Sequence, residues 1–461
     1  MYYQKETIAA IATPIGLGGI GIIRISGDNA ENIAHGIFKP KQPVKSFKSF
    51  RLYLGHIIDP DSHLPIDEVL LSIMRAPFSY TRENVVEINS HSGHLILFNI
   101  LNLVLQSGAR LAKPGEFTLR AFLNGRIDLT QAEAIIDLIN AKGDMSVRLA
   151  ANQLGGRFCR EIKEVRDKIV EMLSQIEASI DFPDEESIIT NRSQLSDSIN
   201  KDVIGPLQEF ISAHSQGKIW QEGSMVVITG RVNVGKSSIL NRFLNEERAI
   251  VTPIPGTTRD VLEYMVNVNG LPLRFIDTAG MRKIKGKIEK KGVELAKIQI
   301  SSADLILLVI DINRRLNQYD FNLLERVNRK NTIVVINKID LPEKLSEKKI
   351  NDLFKDFPKV YISALTGEGF QDLNKAIFDK IMGDKKDISP AAIIPNLRQK
   401  TLLEKAAGFL KNALENLANG FPLELVATDL LEAAHSIDEV TGDKTNEEVL
   451  DTIFSRFCVG K

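Results

Sequence analysis

The most constraining feature of this chain is a phosphate-loop pattern near its middle. Residues 230–237 read Gly-Arg-Val-Asn-Val-Gly-Lys-Ser and directly follow the apolar stretch 225–228. This pattern predicts a strand, then a loop whose backbone N–H groups point at phosphates, then a helix. Lys236 is placed to neutralise phosphate charge, and the Ser237 hydroxyl is placed to bind Mg²⁺. The chain therefore has to fold a phosphate-binding α/β domain in its interior rather than at one end.

A second motif, Asn-Lys-Ile-Asp at residues 337–340, follows the apolar stretch 332–336. The Asp340 carboxylate can accept hydrogen bonds from the N1–H and the exocyclic amine of guanine, whereas adenine presents an acceptor at N1. Ser-Ala-Leu at residues 363–365 is expected to supply the third contact to the base. These motifs indicate a guanine nucleotide.

Two further segments lie between these motifs in the order typical of GTPases. Residues 257–260 read Thr-Thr-Arg-Asp, and Thr258 is expected to sense the γ-phosphate and Mg²⁺. Residues 277–280 read Asp-Thr-Ala-Gly and end an apolar stretch. Four elements in the correct order predict a GTPase.

The residue after the Asp-Thr-Ala-Gly motif is Met281, where Ras-like enzymes carry a glutamine that orients the attacking water. Glu289, in the lysine-rich stretch 282–291, is the nearest downstream carboxylate that could orient the water instead. The alternative interpretation of Glu289 is an ordinary solvated surface charge.

Composition narrows the class of protein. A chain of 461 residues holds roughly three domains of ordinary size. A net charge of -1, from 58 basic and 59 acidic residues, gives no overall nucleic-acid footprint, so RNA contact has to be local or shared with a partner. Its two cysteines, Cys159 and Cys458, suggest no disulfide framework. Without a visible signal peptide or an apolar run long enough to span a bilayer, we expect a soluble cytoplasmic protein.

The pattern of apolar residues predicts several domains. Alternating stretches at 7–12, 21–25, 51–58, 69–74 and 85–88 predict an α+β unit at the N-terminus. The periodicity becomes helical at Thr130, with a predicted capping box between Thr130 and Glu133. It is helical again at 397–419 and 423–437. We therefore predict one helical domain interrupted by an inserted α/β domain, with boundaries at 1–121, 122–216, 217–383 and 384–461.

The chain resembles the tRNA-modification GTPase MnmE (TrmE) family over nearly its whole length. The resemblance is carried by residues 12–27, 114–133, 181–185 and 454–461, the last reading Phe-Ser-Arg-Phe-Cys-Val-Gly-Lys, and by Gly-Thr-Thr-Arg-Asp at 256–260. It implies a multidomain α+β and α/β protein. Its parts would be an N-terminal α+β folate-binding-like and dimerisation domain, a discontinuous helical domain and an inserted Ras-like P-loop GTPase domain.

The resemblance also implies a K⁺ ion in the GTPase site, where other GTPases use an arginine finger. Asn233 matches the side-chain K⁺ ligand of the family, Thr252, Ile254 and Thr257 match the positions that complete the K⁺ shell, and Glu289 falls at the water-orienting position. Val232 stands where many members have proline, which removes a φ restraint but no phosphate ligand. The expected nucleotide and ion contacts are Asn233, Val234, Gly235, Lys236, Ser237, Ser238, Thr252, Pro253, Ile254, Pro255, Gly256, Thr257, Thr258, Asp277, Thr278, Ala279, Gly280, Asn337, Lys338, Ile339, Asp340, Ser363, Ala364 and Leu365.

A folate site is implied by the resemblance alone. Arg24, Glu87, Arg126 and Lys461 match folate-contacting positions. Cationic side chains suit the glutamyl carboxylate, and Glu87 suits the amino edge of the pterin. Without the family, Arg24 and Glu87 would read as ordinary charges on a strand surface, and Arg126 stands where lysine is common.

Cys458 has two interpretations. Its neighbours Arg456 and Lys461 provide some positive field for a catalytic thiolate. The alternative is a packing or substrate-lining role. The terminal residues do not fit a prenylation box.

The resemblance implies a GTP hydrolase that modifies C5 of the wobble uridine in certain tRNAs with a carboxymethylaminomethyl or aminomethyl group. The one-carbon unit would come from a reduced folate, 5,10-methylenetetrahydrofolate or 5-formyltetrahydrofolate. The expected partners are a second copy of the chain, tRNA and an FAD-dependent protein of the MnmG (GidA) type in a heterotetramer or larger complex. A ribosome-assembly or other regulatory GTPase shares the guanine motifs, but the former would be expected to carry a basic RNA-binding domain.

Overall fold

The computed structural model of the chain describes residues 6–14, 16, 18–182, 191–246, 263–277, 300–383 and 392–461. The chain divides into two compact units. The first consists of Met1–Ile136, Gln153–Pro206 and Thr401–Lys461, and the second of Asp137–Asn152 and Leu207–Lys400. Both units thus combine separate stretches of sequence. The fourfold division predicted above partitions the chain differently and stays a prediction.

The first unit contains a seven-stranded sheet in the order β3-β4-β5-β6-β2-β1-β7. Neighbouring strands are antiparallel except for β1 and β7. The strands are β1 (Ile8–Ile11), β2 (Gly21–Ser26), β3 (Phe38–Pro40), β4 (Leu52–Ile58), β5 (Pro65–Met74), β6 (Val85–Ser90) and β7 (Arg110–Leu111). The helices that follow in this part are α1 (Ala30–Ile37), α2 (His94–Gln106) and α3 (Glu116–Leu123). The predicted α+β unit and its strands are confirmed.

Side-chain alternation sorts the two faces of this sheet. On β2, Ile23 and Ile25 are fully buried in a core that includes residues of α1 and α2. Because successive strand residues point to opposite faces, Arg24 lies on the other face, opposite Ala10 on β1 and Glu87 on β6. The same alternation that builds the core therefore presents Arg24 and Glu87 together.

The other elements described in the first unit are helices. A buried stripe on α6 (Arg157–Asp181) includes Ile162, Val165 and Ile169. Arg166 adds a 2.9 Å ion pair from its Nε to Asp438 on α14 (Leu423–Thr441), the helix with which α6 packs. The helices α6, α7 (Arg192–Ser198), α14 and α15 (Glu447–Phe454) lie wholly within the first unit. Four others contain residues assigned to both units: α4 (Leu129–Asn140), α5 (Asp144–Leu154), α8 (Gly205–Glu222) and α13 (Leu397–Ala418). The predicted helices at 397–419 and 423–437 are confirmed.

The capping box of α4 lies two residues before the predicted position. Oδ1 of Asp128 accepts from the backbone N–H of Gln131 at 2.9 Å, and Oε1 of Gln131 accepts from the backbone N–H of Asp128 at 3.0 Å. Thr130 and Glu133 are buried within the helix. The prediction was wrong because Asp-x-x-Gln offers the same reciprocal bonds as Thr-x-x-Glu, and the helix begins at the earlier box.

The second unit contains a six-stranded sheet in the order β13-β12-β11-β8-β10-β9, parallel except for the β9–β10 pair. Its strands are β8 (Ser224–Gly230), β9 (Glu263–Val268), β10 (Leu271–Asp277), β11 (Leu305–Asp311), β12 (Thr332–Asn337) and β13 (Lys359–Ile362). Its described helices also include α9 (Lys236–Glu246), α10 (Gln318–Leu324), α11 (Glu347–Leu353) and α12 (Phe370–Met382). Every residue of β11 is buried, as expected for a strand covered on both faces.

The parallel strands of this sheet end at one edge, which is where ligands bind in such folds. The phosphate loop follows β8, the Asn-Lys-Ile-Asp motif follows β12 and residues 363–365 follow β13. The predicted P-loop α/β domain is confirmed. Within the described ranges, no helix is both long and apolar enough to cross a membrane.

Candidate functional site

The phosphate loop has the backbone that an anion site needs. Asn233 and Gly235 have φ values of 65° and 101°, so successive N–H groups of the loop turn toward one side. A side chain at Gly235 would place its Cβ well inside van der Waals contact with Nδ2 of Asn337. Helix α9 then begins at Lys236, with Ser237 and Ser238 exposed in its first turn. The loop is therefore shaped for phosphate, at the positive end of a helix.

Lys236 closes over its own loop. Its Nζ donates to the carbonyls of Gly230 at 3.0 Å and Arg231 at 2.7 Å. Arg231 in turn contacts Asp320 of α10 at 3.3 Å. Val234 points inward and packs in the core, so its contribution to the site is its backbone.

The guanine motif supports the phosphate loop from the neighbouring strand. Nδ2 of the buried Asn337 donates to the Val234 carbonyl at 2.8 Å. Nζ of Lys338 donates to the Asn233 carbonyl at 2.9 Å and pairs with Asp311 at 2.7 Å. The first two residues of the motif thus hold the phosphate loop, and Ile339 packs against the core. Sequence reasoning missed Asp311, although a carboxylate at the end of a buried parallel strand was a usable signal.

The base-recognition residues lie together. Oγ of the buried Ser363 donates to Oδ1 of the exposed Asp340 at 2.6 Å. Oδ1 of Asn337 accepts from the backbone N–H of Ala364 at 3.0 Å. Leu365 is 81% exposed in the loop after β13. The structure brings the two predicted base-binding motifs to one place.

Several predicted site residues lie outside the described residues: Thr252, Pro253, Ile254, Pro255, Gly256, Thr257, Thr258, Thr278, Ala279, Gly280 and Glu289. Asp277 ends β10, where it is paired in register with Ile228 of β8. Its backbone therefore lies beside the strand that leads into the phosphate loop.

The charged residues predicted for folate form a second cluster, in the first unit. Nε of Arg24 and Oε1 of Glu87 are 2.8 Å apart. The Arg24 guanidinium lies 5.5 Å from the ring centroid of Tyr80 and 5.7 Å from that of Phe117. Arg126 covers Tyr80 at 4.7 Å and donates to the Tyr80 carbonyl at 3.2 Å. The structure thus places Arg24 and Arg126 near the Tyr80 ring, with Glu87 paired to Arg24.

The segment that carries Cys458 docks beside this cluster. Nη1 of Arg24 donates to the Gly460 carbonyl at 3.3 Å, and the Gly115 N–H donates to the Cys458 carbonyl at 3.5 Å. Gly460 has φ 97°, and a Cβ there would collide with the Ile11 carbonyl oxygen. The close approach of strand and segment therefore requires glycine.

The two cysteines differ in accessibility. Cys458 is exposed. Cys159 is buried in α6, and its burial together with the nearby Asp128 carboxylate raises the pKa of its thiol to about 12. Cys458 is therefore the accessible thiol of the pair.

An ion network with a buried centre lies at the start of α3. The Glu116 side chain is 1% exposed, and it accepts from Arg110 at 2.7 Å and from Arg120 at 3.0 Å. Burial alone would raise the pKa of this carboxyl, but hydrogen bonds from Arg110, the Lys113 N–H and Arg120 lower it to about 2. Arg120 also pairs with Glu83 at 3.0 Å. This network fixes the start of α3, the helix that supplies Phe117.

Two protein families match this sequence. The MnmE helical domain matches residues 129–458, and the N-terminus of GTP-binding protein TrmE matches residues 7–126. The tRNA modification GTPase MnmE of Acetivibrio thermocellus is 43% identical over 459 residues and covers 100% of both chains. That of Geobacillus kaustophilus is 44% identical over 460 residues, covering 99% of this chain and 100% of the relative. The G domain of the FeoB iron transporter of T. maritima is 25% identical over 34% of this chain and 98% of its own, with a TM-score of 0.27. The resemblance predicted from the motifs is confirmed over the full length.

Proposed function

Because this chain belongs to the tRNA modification GTPase MnmE family, we propose that it is a K⁺-stimulated GTPase acting on the wobble uridine of certain tRNAs. With an FAD-dependent flavoprotein partner of the MnmG (GidA) type, it adds a carboxymethylaminomethyl or aminomethyl group at C5. The one-carbon unit comes from a tetrahydrofolate. The observation that carries the GTP part is the Ser363–Asp340 hydrogen bond of 2.6 Å, next to a formed phosphate loop.

The described residues fit a guanine nucleotide. An Asp340 carboxylate oriented by Ser363 complements the donor edge of guanine, and the loop at Asn233 and Gly235 complements phosphate. Lys236 would neutralise the β and γ charges. Ser237 and Thr258 would hold Mg²⁺, and Glu289 would orient the attacking water.

Asn233 would hold K⁺ together with Thr252, Ile254 and Thr257. Asn233 is exposed, and its carbonyl accepts from Lys338, so the backbone that carries its side chain is held in place. K⁺ bound there would supply positive charge beside the β and γ oxygens.

The first-unit cluster suits a reduced folate. The half-buried Tyr80 ring offers an aromatic surface to a flat pterin, and Arg126 and Lys461 provide cations for a glutamyl carboxylate. The Arg24 ion pair uses Oε1 of Glu87, and we assign Oε2 to the pterin amino edge. Cys458 would line this site as its catalytic thiol.

A homodimer is supported by the outer face of the N-terminal sheet. Leu52 and Leu54 on β4 are 62% and 43% exposed, and Leu70 on β5, directly opposite Leu54, is 37% exposed. Adjacent exposed leucines are the kind of apolar patch that a second copy covers. GTP hydrolysis would then close and open the G domains across the dimer.

The proposal is tested by nucleoside mass spectrometry of total tRNA from cells that lack this chain. We expect loss of the C5-modified wobble uridine, restored by the wild type but not by Asp277→Ala or Arg24→Ala. An unchanged nucleoside profile in the deletion strain would contradict the tRNA function. Restoration by Arg24→Ala alone would contradict the folate assignment and leave the GTPase part intact.

A further inference from the structure

Arg242 lies on α9, the helix that begins at the phosphate loop, and its guanidinium reaches the base-recognition loop after β13. Nη1 donates to the Leu365 carbonyl at 3.1 Å and to the Ala364 carbonyl at 3.4 Å. Nη2 donates to the Thr366 carbonyl at 3.3 Å. Three successive carbonyls thus converge on one cation.

The loop is built around this guanidinium. Gly367 has φ 94°, and a Cβ there would overlap Nη2 of Arg242. The Arg242 guanidinium also lies 5.4 Å from the ring centroid of Phe370, the first residue of α12. Only a residue without a side chain leaves room for the guanidinium, and the aromatic face limits its remaining freedom.

On its other side the loop is held by the guanine motif. The Ala364 N–H donates to Asn337, and Ser363 donates to Asp340. The loop 363–367 is therefore held on both sides, by its donors to the guanine motif and by its carbonyls to Arg242. These contacts leave it few alternative conformations. Ordering the loop before the base arrives reduces the entropy lost on binding.

We infer that Arg242 is a positioning residue for guanine recognition, holding the loop 363–367 in its binding conformation from the phosphate-loop helix. The inference rests on the assignment of Asp340 and residues 363–365 to guanine. Arg242 touches no phosphate in this role; it acts through the loop backbone. An arginine is required because its planar fork can donate to several carbonyls at once, which a lysine ammonium cannot do in the same geometry.

The experiment compares GDP and pyrophosphate binding to the full chain in the presence of Mg²⁺. For Arg242→Ala we expect the Kd for GDP to rise about tenfold, the size of effect that follows from losing one or two hydrogen bonds. Pyrophosphate, which has no base, should bind as it does to the wild type. Arg242→Lys keeps the charge but loses the planar guanidinium. Its Kd for GDP should lie between that of the wild type and that of Arg242→Ala.

Arg329→Ala is the matched control, because Arg329 lies in the same unit and forms an exposed ion pair with Asp356. It should leave both affinities unchanged. Unchanged GDP affinity in a folded Arg242→Ala protein would overturn the inference, as would an equal loss of pyrophosphate binding. If Arg242→Ala fails to fold, the same comparison of GDP and pyrophosphate affinities is made between Arg242→Lys and the wild type, and it tests the inference in the same way. If Asp340→Asn leaves GDP affinity unchanged, the guanine assignment itself is wrong, which is a different failure.

Discussion

Ser363 and Asp340 form the shortest link between the two base-recognition motifs, with 2.6 Å between Oγ and Oδ1. Ser363 is fully buried, whereas Asp340 is exposed, so the buried hydroxyl orients a carboxylate that faces solvent. The orientation of this carboxylate sets the direction of its remaining acceptors.

Replacing Asp340 by Asn should abolish discrimination in favour of guanine. The amide loses a charge-assisted acceptor and presents donors to the donor edge of guanine, which we expect to weaken GDP binding by about a hundredfold, or ~3 kcal/mol. Xanthosine diphosphate, with a carbonyl in place of the amine, should bind the variant better than GDP does. Ser363→Ala should raise the Kd for GDP only about fivefold. Titration with fluorescent nucleotides measures these three affinities. If Asp340→Asn bound GDP more tightly than xanthosine diphosphate, the assignment of Asp340 to guanine would be contradicted.

Replacing Asn337 by Ala should loosen two loops together. The substitution removes the side chain that bonds the Val234 carbonyl and the Ala364 N–H. Leaving the buried Val234 carbonyl unpaired costs about 1–3 kcal/mol in the free energy of unfolding, and the part-buried Ala364 N–H adds less. The single tryptophan, Trp220, is buried in the core of the second unit, so its fluorescence reports unfolding of that unit. We expect a lower urea midpoint by this probe and faster hydrogen exchange at Ala364. An unchanged exchange rate at Ala364 would mean that Asn337 does not hold the base loop.

The Glu116 network should make the first unit sensitive to acid. The pKa of Glu116 is lowered from 4.5 to about 2 in the folded state. Its contribution to the free energy of unfolding is therefore fully present above pH 4.5 and is lost as the pH falls from about 4.5 to about 2. A shift of this size corresponds to at most ~3 kcal/mol in the free energy of unfolding. Glu116→Gln should therefore be less stable than the wild type at neutral pH and should lose less stability across this window.

Unfolding of the first unit by urea can be followed by the reaction of Cys159 with a dipyridyl disulfide, because this cysteine is buried in that unit. Lys168→Gln is the control, because Lys168 forms an exposed ion pair with Glu171 in the same unit. The free energy of unfolding of this control should show the same pH dependence as that of the wild type between pH 4.5 and 2. An identical pH dependence in Glu116→Gln and the wild type would contradict the role of the network.

Thiol labelling should separate the two cysteines. Alkylation of the native protein near pH 8 should modify Cys458, whereas Cys159 is protected by burial and by a pKa raised to about 12. We expect one label per native chain and two after denaturation, counted by mass spectrometry. A Cys458→Ser protein should take up none while folded; labelling of that variant would show that Cys159 is accessible.

Gly460→Ala should release the docked segment. The new Cβ would collide with the Ile11 carbonyl oxygen, and the residue has φ 97°. A fluorophore on Cys458 should then show lower anisotropy than in the wild type. Gly420→Ala is the matched control, because Gly420 also has a positive φ, 73°, but has open space around its Cβ position. Equal anisotropy in Gly460→Ala and the wild type would show that the segment stays docked.

Local patterns predicted much of this molecule. The strands around residues 21–25 and 332–336 follow from the spacing of apolar residues, and both nucleotide motifs stand at the strand ends where they were expected. The contact of Arg242 with Leu365 was not predictable, because it joins residues 123 positions apart and no local pattern marks it. The Arg24–Gly460 hydrogen bond, across 436 positions, was equally hidden, although the motifs that contain both residues were recognised. Packing between distant segments is set by the tertiary fold and leaves little trace in local sequence.

The docking of residues 458–460 on β1 and β2 has a consequence for synthesis of the chain. A ribosome releases Arg24 long before it releases Gly460, so Arg24 cannot reach the Gly460 carbonyl while the intervening residues are being translated. The aromatic and charged cluster around Tyr80 can acquire its final neighbours only after the chain has emerged through residue 460. Completion of this site is therefore timed by translation, and a chain truncated before residue 458 would lack the carbonyl that Arg24 binds at Gly460.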